Sequence, residues 1–264
     1  MEQPDPESSV AIEVSQLTMK YGSSLIQQDL TFKVHKGDVF VIMGGSGCGK
    51  STLLKHMIGL YQPAAGTISY EGQNYFSASD RQQLEMRKRW GVTYQSGALF
   101  SAMTLAENVS LPLTQYTRMK STEIADLVRY KLALVGLSGY EDYYPSEISG
   151  GMAKRAGLAR AMALDPDILF FDEPSAGLDP LSAKRLDDLI LQLSHSLGVT
   201  IVIVTHELES IFAIGSNGVF LDAQTKTQLD TGAPSYMLNH SSQPLVRDFL
   251  SRGQSHQQAC GENS

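Results

Sequence analysis

Apolar positions alternate, or gather on β-branched residues, around Ile12–Val14, Leu30–Val34 and Thr67–Tyr70, with Tyr21-Gly22, Lys36-Gly37 and Pro63–Gly66 between them. A period of two broken by turn residues predicts short antiparallel strands with one buried face. The pattern then changes. Val39–Met43 is apolar throughout and feeds a glycine loop, after which Lys50–Leu60 reads as helix. Ile168–Phe171 and Val199–Val204 are two further uninterrupted apolar runs. Strands apolar on both faces are what a parallel sheet covered by helices requires. Between Gln95 and about Gly150 the spacing turns helical; within Thr122–Val135, residues Ile124, Leu127, Val128, Leu132 and Val135 share one face, and Gly136 supplies a stop. Beyond Phe220, LDAQTKTQLDTG reads as a hairpin, followed by short helices near Ser235–Leu238 and Pro244–Leu250. The first ten residues and the stretch from Gly253 are polar and without period, and are expected to be loose tails.

At 264 residues the chain suits one large α/β domain, or a core with a smaller subdomain. Its 21 Lys and Arg against 28 Asp and Glu give a formal charge of −7, which argues against nucleic acid as a partner, since that needs a concentrated basic face. Arg87-Lys88-Arg89, the one short basic run, reads as a solvated helix face. MEQPDPESSV lacks the basic-then-apolar order of a signal peptide, and the longest apolar runs, such as IVIV at 201–204, are strand-length. Cys48 and Cys260 lie at opposite ends and suggest no disulfide framework. The expectation is a cytosolic chain that another protein must hold if it works at a membrane.

Residues 44–51 read GGSGCGKS, between an apolar strand and a helix. Gly44, Gly45, Gly47 and Gly49 let backbone N–H groups turn inward around phosphate oxygens, with Ser46 and Cys48 completing the loop. A helix starting at Lys50 offers unpaired N–H groups and a positive dipole end to an anion. Lys50 is expected to reach the terminal phosphates and Ser51, followed by Thr52, to offer a hydroxyl to Mg²⁺. The Cys48 side chain is expected to face away from phosphate.

The apolar strand at 168–171 runs into Asp172-Glu173. Neighbours on a strand point opposite ways, so the two acids should have different tasks. Asp172 suits the Mg²⁺ shell, and Glu173 can orient or deprotonate an attacking water. Val199–Val204 delivers Thr205-His206 to the carboxyl end of another strand, where ligands of open α/β sheets gather, which makes His206 a partner for the terminal phosphate. Ser149 can cap a helix that begins near Gly151, and Gly150-Gly151 leave that helix start uncluttered. Alone, this turn reads equally as a plain capped helix or as a second anion site.

The ordered set Tyr21, GGSGCGKS, Gln95, ISGG, FFDEP, SAGLD and His206 resembles the nucleotide-binding subunit of ABC transporters, over about Ile12 to Gly232. The resemblance implies a P-loop NTPase core with a mixed or parallel sheet, an N-terminal antiparallel β subdomain and a helical subdomain at about 96–150, all within a domain spanning 11–233. It assigns 234–252 to a C-terminal helical extension, 1–10 and 253–264 to tails. In that family two subunits sandwich two ATP molecules head to tail. This implies that Ser149, Gly150 and Gly151 meet the γ-phosphate held by a second copy, that Tyr21 stacks on adenine, that Gln95 joins the Mg²⁺ shell and the link to a permease, and that Asp179 makes a dimer contact. Met152 stands where the family usually has glutamine. SGGMAKRAGLARA, with QSGALF at 95–100 and VRDFL at 246–250, resembles the Mla-type branch, whose relatives move phospholipid between two membranes. That implies an integral permease, an MCE-type lipid-binding protein, a small regulatory subunit and a place at the cytoplasmic face of the inner membrane. An importer for another solute, a soluble ABC-type ATPase acting on ribosomes or DNA, and a P-loop small-molecule kinase are the competing readings. A single core without a long coiled-coil insertion speaks against the second, and the third leaves ISGG and SAGLD unexplained.

Overall fold

The computed structural model describes residues 10–95 and 97–261, with side chains to residue 252. The N-terminal tail expected over 1–10 therefore lies, but for Val10, outside the described residues, as does Ser96. The chain forms two compact units, one from the segment up to Gln83 and again from Val202, the other from Leu84 to Ile201.

The first unit opens with β1 (Val10–Tyr21) and β2 (Ser24–His35), a hairpin turned at Gly22. Ile12, Val14, Leu17 and Met19 point to one buried face, and the alternation changes phase at Gln16, whose φ of +48° accompanies a register shift between Val14 and Leu17. β3 (Val39–Gly44) is buried at every position and leads through the glycine loop into α1 (Lys50–Met57). That helix stops short of the expected Leu60, because Gly59 turns left-handed at φ +74° and Leu60 N–H closes back onto Lys55 O at 2.9 Å. β4 (Ala65–Tyr70) and β5 (Gln73–Asn74) complete an antiparallel sheet ordered β2-β1-β4-β5.

After α2 (Asp80–Lys88), which crosses the boundary, the second unit contains β6 (Trp90–Thr93), α3 (Leu105–Tyr116), α4 (Ser121–Leu134), α5 (Gly150–Ala161), β7 (Ile168–Asp172) and α6 (Pro180–Leu197). Thr104 and Glu107 form a reciprocal capping box at the start of α3. β6 and β7 pair in parallel, Trp90 opposite Ile168 and Thr93 opposite Phe171, so both strands exit at one edge. β8 (Thr200–Val204) returns the chain to the first unit.

There α7 (Leu208–Ile214), β9 (Asn217–Leu221) and β10 (Gln228–Thr231) follow, then α8 (Pro234–His240) and α9 (Pro244–Gly261). β9 pairs in parallel with β3 and antiparallel with β10, in the order β10-β9-β3-β8, a mixed sheet beside the antiparallel one. Val246 and Leu250 of α9 and Met237 of α8 are buried against Val41, Met43, Ile211 and Phe220, so the C-terminal helices pack on their own unit. The helical backbone of α9 continues to Gly261, past Gly253, where a loose tail is expected; glutamine and alanine at 254, 257, 258 and 259 are adequate helix formers with no proline among them.

Candidate active site

β3 delivers the phosphate loop in a conformation only glycine accepts. Gly44 has φ +142°, and an added Cβ would lie 2.3 Å from Leu221 O. Gly47 and Gly49 have φ of +76° and +95°, and Gly49 is the N-cap of α1. Gly45 and Gly47 face open space, with nothing within 4 Å of an added Cβ, so the outer side of the loop has room for an anion. Lys50 starts α1 with its stem buried and its ammonium over the loop, donating to Gly44 O at 2.9 Å and Gly45 O at 3.0 Å. Ser51 and Thr52 follow, half-buried, in the first turn.

Cys48 faces inward and is buried, its Sγ 4.0 Å from Lys50 Nζ. Burial pushes its thiol above the ordinary range, against the pull of the neighbouring ammonium, so it stays neutral. Beneath the loop, Gln27 of β2 is fully buried; its amide donates to Cys48 O at 2.7 Å and Asp222 O at 2.8 Å. Tyr21, at the end of β1, is 76% exposed. His206 is exposed just past the β8 exit, after a buried Thr205 whose hydroxyl accepts from Glu207 N–H at 3.1 Å.

In the second unit the shared exit of β6 and β7 places Gln95, exposed in a turn closed by Gly97 N–H on Tyr94 O at 2.8 Å, at the edge that carries Asp172 and Glu173. Glu173 has φ +53°, a left-handed conformation that costs a non-glycine residue about 1–2 kcal/mol. Burial pushes the Tyr94 phenol pKa up and the nearby Asp172 carboxylate adds to it, while Arg160 pulls the other way. Ser149 caps α5, its hydroxyl accepting from Met152 N–H at 3.3 Å. Gly150 has no neighbour within 4 Å of an added Cβ, and Gly151 meets nothing nearer than Leu178 at 3.8 Å. Asp179 caps α6 by accepting from Ser182 N–H at 3.0 Å, and hydrogen bonds from Ser182 hold its carboxyl below the usual range.

Three residues of structural weight escape the sequence pattern. Lys154, on α5, donates to Pro174 O at 2.7 Å and Ala176 O at 2.5 Å, fastening the helix to the turn after Glu173. Arg160, near the end of α5, donates to Ala98 O at 2.8 Å and lies over the Phe100 ring at 5.7 Å, fastening it to the loop after Gln95. Gln27 is the third. The basic letters in SGGMAKRAGLARA were a signal for the first two, since cations pointing at loop carbonyls are a way to satisfy buried backbone oxygens. Among the described residues no cluster of three His, Cys, Asp or Glu could hold a metal by itself. Among the same residues no helix is long and apolar enough to cross a membrane.

Residues 27–176 match the model of a family described as ABC transporter. The chain is 44% identical over 241 residues to a probable ribonucleotide transport ATP-binding protein, mkl, of Mycobacterium tuberculosis (strain ATCC 25618 / H37Rv), covering 91% of this chain and 66% of that one. It thus spans about two thirds of the length of the mycobacterial relatives it matches. It is 38% identical over 246 residues to the intermembrane phospholipid transport system ATP-binding protein MlaF of Escherichia coli (strain K12), covering 92% of this chain and 90% of that one. Among solved structures, the dimeric ATP-binding cassette MJ0796, in a post-hydrolysis state bound to ADP and Pi, superposes with a TM-score of 0.75 at 26% identity, over 84% of this chain and 98% of the other.

Proposed function

Because the chain belongs to the ABC transporter family, we propose that it is the ATP-hydrolysing subunit of a transporter, working as two identical copies that close on two ATP molecules and drive a membrane permease. The observation that carries the two-copy reading is the Gly150-Gly151 pair. Both residues have room for a Cβ and neither has a positive φ, so nothing among the described residues demands glycine there. A ligand or a second chain approaching the start of α5 does.

Each residue then has one task. Gly44, Gly45, Ser46, Gly47, Cys48 and Gly49 supply backbone N–H groups to the phosphates of the bound nucleotide, and Lys50 with the first turn of α1 balances charge that develops on them. Tyr21 stacks on the adenine. Glu173 orients the attacking water and takes its proton, while His206 holds the terminal phosphate end of the nucleotide. Ser149, Gly150 and Gly151 meet the nucleotide of the second copy, and Asp179 supports that contact. Mg²⁺, when bound, would be held by Ser51, Gln95 and Asp172 and would neutralise phosphate charge. ATP binding closes the pair because each nucleotide is a ligand for both surfaces, and loss of the terminal phosphate opens it.

For the cargo we favour phospholipid moving between inner and outer membranes, with the chain at the cytoplasmic face of the inner membrane. Support comes from the MlaF relative, of which the chain covers 90%, and from Met152 after Ser-Gly-Gly. The mycobacterial relative, whose name carries ribonucleotide transport, keeps a second cargo in play. Two experiments test the proposal. Glu173→Gln should trap an ATP-bound dimer visible by size-exclusion chromatography, and a variant hydrolysing ATP like wild type would remove the base assignment. Isolation of the tagged chain from native membranes should bring a multi-span permease, an MCE-type lipid-binding protein, a small regulatory subunit and bound phospholipid. A permease with a soluble solute-binding protein would instead sink the lipid cargo, and ribosomes without any membrane protein would sink the transporter.

A further inference from the structure

We infer that Gln27 is a positioning residue for the phosphate loop: its side-chain amide sets the direction of the Cys48–Gly49 peptide, so that Gly49 N–H points at bound phosphate. This rests on the nucleotide-site reading of that loop. Gln27 projects from β2 into a fully buried position, with its nitrogen 2.7 Å from Cys48 O and 2.8 Å from Asp222 O. Both partners are backbone carbonyls, which only accept, so the NH₂ and not the oxygen of the amide must face them. The two N–H groups are thereby divided between the phosphate loop and the segment leaving β9.

A trans peptide is planar, with its C=O and N–H pointing in opposite directions. Fixing Cys48 O against Gln27, on the β2 side of the loop, turns the N–H of Gly49 to the other side. Gly49 cannot escape by shifting toward β2, because an added Cβ there would already lie 2.8 Å from Ile26 and 3.5 Å from Gln27. At φ +95°, Gly49 has a wide range of backbone freedom to lose, and a floppy peptide would spend only part of its time aimed at phosphate. Gln27 Oε1 is buried and accepts no hydrogen bond among the described residues. A residue kept for packing alone would be apolar at a fully buried strand position, so what this side chain contributes is its two donors.

The test uses Gln27→Met, which preserves length and volume and removes the donors. Affinities for ADP and for adenosine are measured by competition with a fluorescent nucleotide on the full chain, beside the melting temperature without nucleotide. ADP should weaken about fivefold to tenfold, the scale of one directed hydrogen bond, with adenosine unchanged and KM for ATP raised more than kcat is lowered. Equal weakening of ADP and adenosine, or no change in either, would overturn the inference. If Gln27→Met does not fold, the wild-type chain answers by nuclear magnetic resonance: the Gln27 side-chain amide protons should be slow to exchange and should shift when ADP binds. Fast exchange with no shift would overturn it equally. Failure of the wild type to bind ADP at all would fall on the nucleotide reading of the loop instead.

Discussion

The double substitution Gly150→Ala, Gly151→Ala separates what one chain needs from what two chains need. Both glycines lie in the first turn of α5 without a positive φ. An added methyl at Gly150 meets nothing within 4 Å, and at Gly151 it meets Leu178 at 3.8 Å and Ser182 at 3.9 Å, ordinary contact distances. Glycine in a helix costs about 0.5–1 kcal/mol relative to alanine. First-turn positions feel less of this, so the pair should stabilise the isolated chain by up to about 1.5 kcal/mol, a rise in melting temperature of roughly 2–5 °C for a domain of this size. ADP affinity of the isolated chain should not change, since its own phosphate loop is untouched.

Hydrolysis should behave oppositely. If the Ser149 turn meets the terminal phosphate of the other copy, each methyl stands where phosphate oxygen must approach backbone N–H to about 2.9 Å. Losing that approach at the moment of charge development should cut the rate at least tenfold, about 1.4 kcal/mol. In a Glu173→Gln background it should also abolish the ATP-induced dimer. The assays are thermal unfolding, ADP titration, phosphate release and size-exclusion chromatography on one preparation. A more stable variant with full hydrolysis and an intact dimer would refute the role given to the turn. A less stable one would refute the packing argument from which that role is drawn.

Gly157→Ala should do the reverse, because its added Cβ would lie 2.8 Å from Gly97 O. The helical gain of about 1 kcal/mol is opposed by overpacking of about 1–3 kcal/mol, so calorimetry should show a lower melting temperature, and a higher one would mean that the loop after Gln95 yields freely. His56 is buried with its Nδ1–H donating to Thr52 O at 2.8 Å, and burial holds its pKa below the ordinary 6.5. A depressed folded-state pKa gives stability that is present above the unfolded value and lost as pH falls through the folded one. Urea midpoints measured from about pH 7.5 down to 5 should therefore fall for wild type, and fall less for His56→Gln; parallel curves would clear His56 of the acid loss.

The parts of the fold legible in the sequence are those where one local signal decides. The uninterrupted ILFF run could only be a covered strand, and its exit fixed the place of Asp172 and Glu173. From Asp80 to Thr93 only the Arg87-Lys88-Arg89 face reads as helix, because α2 is polar nearly all round, with Met86 its one buried residue, and β6 is four residues long. β1 and β2 run well beyond the stretches their alternation predicts, since a bulge at Gln16 shifts the phase and hides the continuation. Gln27 was illegible for a further reason. In the string Gln27-Gln28-Asp29 it looks like solvent-facing polarity, and only the carbonyls of Cys48 and Asp222, one of them almost two hundred residues away in sequence, give it a buried purpose.

Glycine itself shows where sequence reasoning reaches its limit. GGSGCGKS and ISGG look alike as strings: small residues before a helix, each fit for an anion. Structurally they differ in kind. Gly44 would drive a Cβ into Leu221 O, and Gly49 would drive one into Ile26, each at a positive φ, so the first loop would require glycine even if no phosphate ever bound. The second turn has no such need, as an alanine fits both its positions. Selection by the chain's own packing therefore explains the first pair and not the second. The phosphate loop can be recognised by the fold it completes, whereas none of the described packing of the chain calls for glycine at 150 and 151.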